Sequence, residues 1–347
     1  MNFCQKRLFC DGTLYLTKMI RSINMLLSWN HPSIRIIGRW DRRNPGRVVT
    51  TNPGGIIEIS YYGEMITLCF DVVDNQYPRP HLWLQVDNGV RIESALEPFL
   101  HIQSPGGDGG CHLLRVIFKS AVEEQNRWSE PLVGKVSFLG TILERPGLLQ
   151  ERKEKVIEFV GDSITEGVLI DTECGEDCQA TRTYQDDVCA TYAWLTAERL
   201  NLEPRFMGFG GVGVTQGGMG GVPKASLAYP YVYENCQLGE REPDFILINH
   251  GANDRKADVV NYIQEYHNLL TVIRKLHPHS QIFCAGMFFG LFLDDLRELV
   301  EKFNRQYHDR VIYIDTKGWI PPDPLHPLRE GHRRIAEKLV EQLKPMI

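Results

Sequence analysis

Between Ile34 and Leu143 apolar residues tend to recur at every second position. Ile66, Leu68, Phe70 and Val72 keep this step, as do Leu82, Leu84 and Val86, and then Val136, Phe138 and Ile142. Successive side chains of a strand point to opposite faces, so the pattern predicts half-buried strands. Asp87-Asn88-Gly89 lies between Leu82–Val86 and Val90–Ile92 and predicts a tight hairpin, because Asn-Gly tolerates the positive φ angles of a type I′ turn. Gly and Pro clusters at Asn52-Pro53-Gly54-Gly55 and Ser104-Pro105-Gly106-Gly107 punctuate the segment further. Short strands broken this way predict a β-sandwich domain over residues 1–150.

After Arg145-Pro146-Gly147 and the charged run Glu151–Lys155 the rhythm changes. Short apolar runs at Val156–Val160, Arg205–Met207, Phe245–Asn249, Ile282–Met287 and Val311–Asp315 predict strands. Helical spacing marks Tyr184–Leu200, Val259–Leu276, Leu293–Tyr307 and Leu328–Leu343, where Ile335, Leu339 and Leu343 recur on one face. Strands alternating with helices predict a parallel sheet covered on both faces, here a second domain over residues 151–347. Ligands of such sheets bind beyond the carboxyl ends of the strands. Ser163, the glycine loop Gly208–Gly221, Gly251-Ala252-Asn253-Asp254 and the pair Asp323 and His326 all fall on that rim.

Composition narrows the partners. A net charge of -6 with dispersed Lys and Arg gives no basic surface for a nucleic acid. Nowhere do about 18 apolar residues run uninterrupted, which disfavours a membrane span. The N-terminal stretch Met1–Asn30 breaks its apolar residues with Lys, Asp and Arg, so it lacks the apolar core of an export signal and a cytoplasmic protein is expected. Nine cysteines, an odd number, point to reduced thiols. Cys174, Cys178 and Cys189 come closest to a cluster, but there is no CxxC pair and no His at finger spacing, so no metal is expected.

Acyl transfer by a serine needs a base, something to orient it, and donors for the developing oxyanion. Ser163 is the candidate nucleophile, His326 the general base and later acid, and Asp323 the group that would hold the imidazole tautomer. The backbone N–H groups of Ser163 and Gly213 and the side-chain amide of Asn253 are the candidate oxyanion hole. No cofactor is required. Blander readings compete: Ser and Asp are favoured helix caps, Asn253 and Asp254 could cap the helix beginning near Asp258, and His332 is a rival base within the last helix. Gly208–Gly213 also matches G-x-G-x-x-G, but it follows the second strand of its half instead of the first and leads into no good helix start, so nucleotide binding is disfavoured.

Four ordered blocks, GDSIT at Gly161–Thr165, the glycine loop ending in Gly213, GAND at Gly251–Asp254 and DPLH at Asp323–His326, resemble those of the SGNH (GDSL) hydrolase superfamily. The resemblance implies a three-layer α/β/α, flavodoxin-like domain. It also assigns the nucleophile, glycine donor, asparagine donor and Asp–His pair to those positions, with Gly210 and Gly211 as alternatives to Gly213. A small, jelly-roll-like β-sandwich before such a domain, with Ile37-Gly38-Arg39-Trp40 near its start, is similar to carbohydrate esterase family 2. That likeness implies removal of acetyl groups from acetylated sugars or oligosaccharides such as xylan and glucomannan fragments, in some members by a Ser–His dyad. Trp319, Tyr184 and Phe289 are candidate aromatic platforms for a sugar ring. The competing functions are a lipase or thioesterase on the same fold, and a non-catalytic carbohydrate-binding protein.

Overall fold

The computed structural model describes residues 24–107, 109–172, 182–239 and 241–347. Most of the N-terminal stretch read above, and Cys174 and Cys178 with it, lie outside the described residues. Among the described residues no helix is long and apolar enough to cross a membrane, and Cys69, Cys111, Cys189, Cys236 and Cys284 are free thiols.

The first half builds one antiparallel sheet from Met25–Ser28 (β1), Ile34–Ile37 (β2), Val48–Thr50 (β3), Ile56–Phe70 (β4), His81–Val86 (β5), Ile92–Ala95 (β6), Phe99–Gln103 (β7), Cys111–Ser120 (β8) and Val136–Pro146 (β9). The long strand β4 pairs with β2 and β8 near its start and with β7 near its end, with β9 alongside. Its register against β9 shifts between Tyr62 and Ile66, at Gly63, whose φ of 132° needs a glycine. Ile57, Ile59 and Tyr61 of β4 and Leu114, Val116 and Phe118 of β8 face the sheet's own core. The alternate residues Ile56 and Ile117 face the other way, into a core shared with the second half.

Two details depart from the sequence reading. The β5–β6 hairpin forms, with Leu84 opposite Ile92, but its turn is a longer loop in which Asp87, φ 54°, takes the left-handed conformation. The Asp87 carboxylate accepts the Leu113 N–H at 2.9 Å and bonds His112 Nδ1 at 3.0 Å, so β8 fixes the turn. In β9 the alternation changes parity: Leu143, not Ile142, joins Val136 and Phe138 in the core. Between them stands Gly140, φ 150°, where the backbone of Leu27 comes so close that a Cβ would lie 2.0 Å from its carbonyl oxygen.

The second half is a five-stranded sheet of Val156–Gly161 (β10), Glu203–Gly208 (β11), Phe245–Asn249 (β14), Gln281–Ala285 (β15) and Ile312–Ile314 (β16), in the order β11-β10-β14-β15-β16 and parallel throughout. Tyr231–Tyr233 (β12) and Cys236–Gln237 (β13) form a separate ribbon. Five helices matter here: Ser163–Glu166 (α1), Tyr192–Arg199 (α2), Val259–Leu276 (α3), Leu293–Tyr307 (α4) and Arg329–Leu343 (α5). Apolar faces of α3 and α4 cover one side of the sheet, over Val160, Met207, Ile246 and Ile248. Those of α2 and α5 cover the other, over Ile157, Phe159, Leu247 and Phe283. The helix expected over Tyr184–Leu200 breaks instead into Arg182–Gln185, a 3₁₀ turn at Val188–Ala190, and α2. Asp187 caps the turn and Thr191 caps α2, two local caps that outcompete a continuous helix. The chain leaves β10 for the neighbour on one side and returns to β14 on the other, so the crevice of the fold opens beyond the carboxyl ends of those two strands.

Candidate active site

β10 delivers the chain to this crevice. Asp162, in extended conformation, accepts the Ile164 N–H at 3.0 Å and so caps α1 itself. The capping role that competed for Ser163 is thereby filled by its neighbour. Ser163 is free for another partner, and its Oγ lies 2.8 Å from His326 Nε2. The serine is only 4% exposed. Gly161 and Gly167 are required on either side of α1. A Cβ on Gly161 would sit 2.0 Å from Thr165 Oγ1, and Gly167 ends the helix at φ 90°.

The other two blocks lock together. Asn253 Nδ2 donates one N–H to the Val212 carbonyl at 3.0 Å, leaving its second N–H available. Asp254 accepts from the backbone of Val214 and Thr215 at 3.1 and 2.9 Å and from Thr215 Oγ1 at 2.6 Å. The expectation for Gly213 needs correction, because its N–H donates to the Gln216 carbonyl at 3.0 Å and closes a turn. Asp254 explains the residue: a Cβ on Gly213 would meet its carboxylate at 2.6 Å. Gly210 is equally constrained, with Glu123 Oε2 at 1.8 Å from a built Cβ. Glycines here admit two carboxylates from the protein itself, a poor lining for a pyrophosphate.

His332 is excluded as the base. It is buried, its Nδ1 accepts the Tyr192 N–H at 3.0 Å at the start of α2, and burial pulls its pKa down to about 3. Asp323 is exposed, and among the described residues it accepts no hydrogen bond from His326. Three residues beyond His326, Arg329 holds the loop down by bonds to Asp171 and to Asp187 Oδ2, the latter at 3.0 Å. Trp83 Nε1 of β5 donates to Asp187 Oδ1 at 2.9 Å. Of the aromatic candidates, Trp319 and Phe289 are half-buried against the core, whereas Tyr184 is 59% exposed with its ring edge-on to His81.

Acidic groups crowd the underside of the site. Burial pushes the Asp162 carboxyl up to about 7, and Asp254 and Glu123 add to the shift. Burial also pushes Glu123 up to about 7, with Glu166 nearby. Glu166, Glu123, Arg127 and Arg329 were not singled out from the sequence. Their partners are distant in the chain, and the one local hint is a charge set beside Gly167 in Ser163-Ile164-Thr165-Glu166.

The sequence profile of the GDSL-like Lipase/Acylhydrolase family matches residues 159–334. The chain belongs to this family. Among relatives of this acylhydrolase-family chain, the Cellulase/esterase CelE of Acetivibrio thermocellus is 26% identical over 91% of the chain, which spans 40% of that longer protein. An acetylxylan esterase / glucomannan deacetylase of Cellvibrio japonicus is 22% identical, over 95% of the chain and 94% of the relative. A family two carbohydrate esterase from Cellvibrio japonicus has the same fold, with a TM-score of 0.78 at 20% identity over 93% of this chain and 98% of that one.

Proposed function

We propose that this chain is a serine esterase that removes acetyl groups from acetylated sugars or oligosaccharides through an acyl-enzyme. The observation that carries the proposal is the 2.8 Å contact between Ser163 Oγ and His326 Nε2. In the proposed sequence, His326 accepts the proton of Ser163 as Oγ attacks the ester carbonyl, then returns it to the departing sugar hydroxyl. Water, activated by the same imidazole, hydrolyses the acetyl-serine. Asn253's second N–H and the Ser163 N–H, which has no acceptor within its helix, serve as oxyanion donors. Loss of one such donor typically costs about 3–4 kcal/mol of transition-state stabilisation. Asp323 is exposed and, among the described residues, takes no bond from His326, so the acid's place in a triad is not assigned to it. The strand-rich half is read as a jelly-roll-like β-sandwich, accessory to the site. The substrate class follows the names of the two curated relatives.

Initial rates on p-nitrophenyl acetate and p-nitrophenyl octanoate, followed by acetate release from defined acetylated mono- and oligosaccharides, test this reading. Preference for the acetyl ester and release from at least one saccharide are expected. Preference for octanoate would replace the reading with a lipase or thioesterase.

A further inference from the structure

Arg127 belongs to the stretch between β8 and β9 of the strand-rich half, yet its guanidinium pairs with the helix of the other half that begins at Ser163. Its side chain is fully buried, with Nη1 2.5 Å from Glu166 Oε1 and Nη2 3.2 Å from Glu166 Oε2. Glu166 is the last residue of α1, whose first residue is Ser163. A fork of this kind fixes both the position and the plane of a carboxylate. Arg127 is itself held firmly. Its guanidinium carbon lies 5.3 Å from the Phe209 ring centroid, its backbone N–H donates to the Gly220 carbonyl at 3.2 Å, and Gly134 presses on its stem so closely that a Cβ there would lie 2.8 Å from Cγ. Phe209 and Gly220 lie near the two ends of the glycine loop that contains Val212, the residue whose carbonyl holds Asn253. Through its side chain and its backbone together, this residue therefore links the nucleophile helix to the loop that orients a candidate oxyanion donor.

Stability alone does not account for such a pair. Desolvating two charges offsets most of their attraction, and apolar replacement of both partners is often neutral or stabilising. Geometry is what the pair adds. α1 has four residues, too few to hold its own place, so external anchors decide where Ser163 sits.

We propose that Arg127 is a positioning residue, supplied by the strand-rich half, which sets Ser163 Oγ in line with His326 through Glu166. The proposal rests on the acyl-transfer reading of Ser163. Its test is the double variant Arg127→Met/Glu166→Leu, which removes both charges and leaves neither buried alone. Urea unfolding reports the fold, and steady-state kinetics on p-nitrophenyl acetate report the site. The double variant is expected to unfold near the wild-type midpoint while kcat falls about 100-fold, the scale of a misplacement of about 1 Å. KM should move less than about threefold, because the interaction acts on the reacting atoms and not on ground-state binding. Arg127→Lys, which keeps the charge without the fork, should lose about tenfold in kcat. It carries the same test if the double variant does not fold. In Arg127→Ala, non-denaturing guanidinium chloride should restore part of kcat by refilling the space beside Glu166. A folded double variant with wild-type kcat, or a loss confined to KM, overturns the positioning role. An inactive wild type removes the acyl-transfer reading and this role together, whereas an active wild type matched by the variants removes this role alone.

Discussion

Ser163 and Asp162 divide between them two tasks that a serine at a strand–helix junction could have combined. Asp162 satisfies the helix start, and the hydroxyl one residue on is left to the imidazole of His326. This division was only half legible in the sequence: Asp and Ser are both good caps, and nothing local states which one caps. The same limit applies to Gly213. The block pattern marks the residue, but whether its N–H faces a ligand or closes a turn depends on Gln216, whose carbonyl takes that N–H. Asp323 yields a prediction at this scale. Replacing the acid of a Ser-His-Asp triad costs about 10⁴-fold in kcat. An exposed carboxylate that makes no bond to the imidazole has no such leverage, so Asp323→Ala should lower kcat/KM on p-nitrophenyl acetate less than about tenfold. A loss near that of a full triad would show that the acid acts in the working enzyme.

Among the elements, the long amphipathic helices were the easiest to read. Val259–Leu276 and Leu293–Tyr307 form with the ends that their apolar spacing gives. Tyr184–Leu200 fails because the caps Asp187 and Thr191 interrupt a periodic stretch, and short polar side chains compete with helix continuation wherever they can bond nearby N–H groups. In β9 the period-two rule fails at one glycine, where close approach of the Leu27 backbone changes which residues face inward. The glycine loop and the Glu123 segment pressed against it have a consequence for pH. Burial raises Glu123 from 4.5 to about 7, so the folded state holds that proton more tightly than the unfolded chain. Stability should therefore fall as pH rises from about 4.5 towards 7. Asp162, also near 7, contributes in the same direction. Urea midpoints across this range should decline less in Glu123→Gln than in the wild type. Parallel declines would show that Glu123 is not a source of the dependence.

At the scale of the whole molecule, the boundary near residue 150 separates two sheets, but one of the hydrophobic cores runs across it. Ile56 and Ile117 of the strand-rich half sit in one cluster with Phe159 and Phe206. Arg39 crosses from the first half to donate to Glu158 at 3.0 Å on the interior strand β10 and to the Tyr229 carbonyl at 2.8 Å. Burial opposes the Glu158 charge, yet Arg39 and Arg205 outweigh it and hold the carboxyl down at about 2. The change from period two to strand-and-helix alternation revealed both sheets, and the rim rule gathered the candidate residues on one edge. The bonds that join the halves left no such trace. Arg39 and Glu158 are 119 residues apart and Arg127 and Glu166 39 apart, and no local period encodes either pairing.

The central claim is that two segments far apart in the chain bring the Ser163 hydroxyl to the His326 imidazole, which makes it a nucleophile. Rapid acid quench of the enzyme during turnover of p-nitrophenyl acetate, followed by peptide mass analysis, tests it most directly. One added acetyl group is predicted on the peptide carrying Ser163, absent in Ser163→Ala together with turnover. An acetyl group found on another side chain, or turnover surviving in Ser163→Ala, would contradict the account.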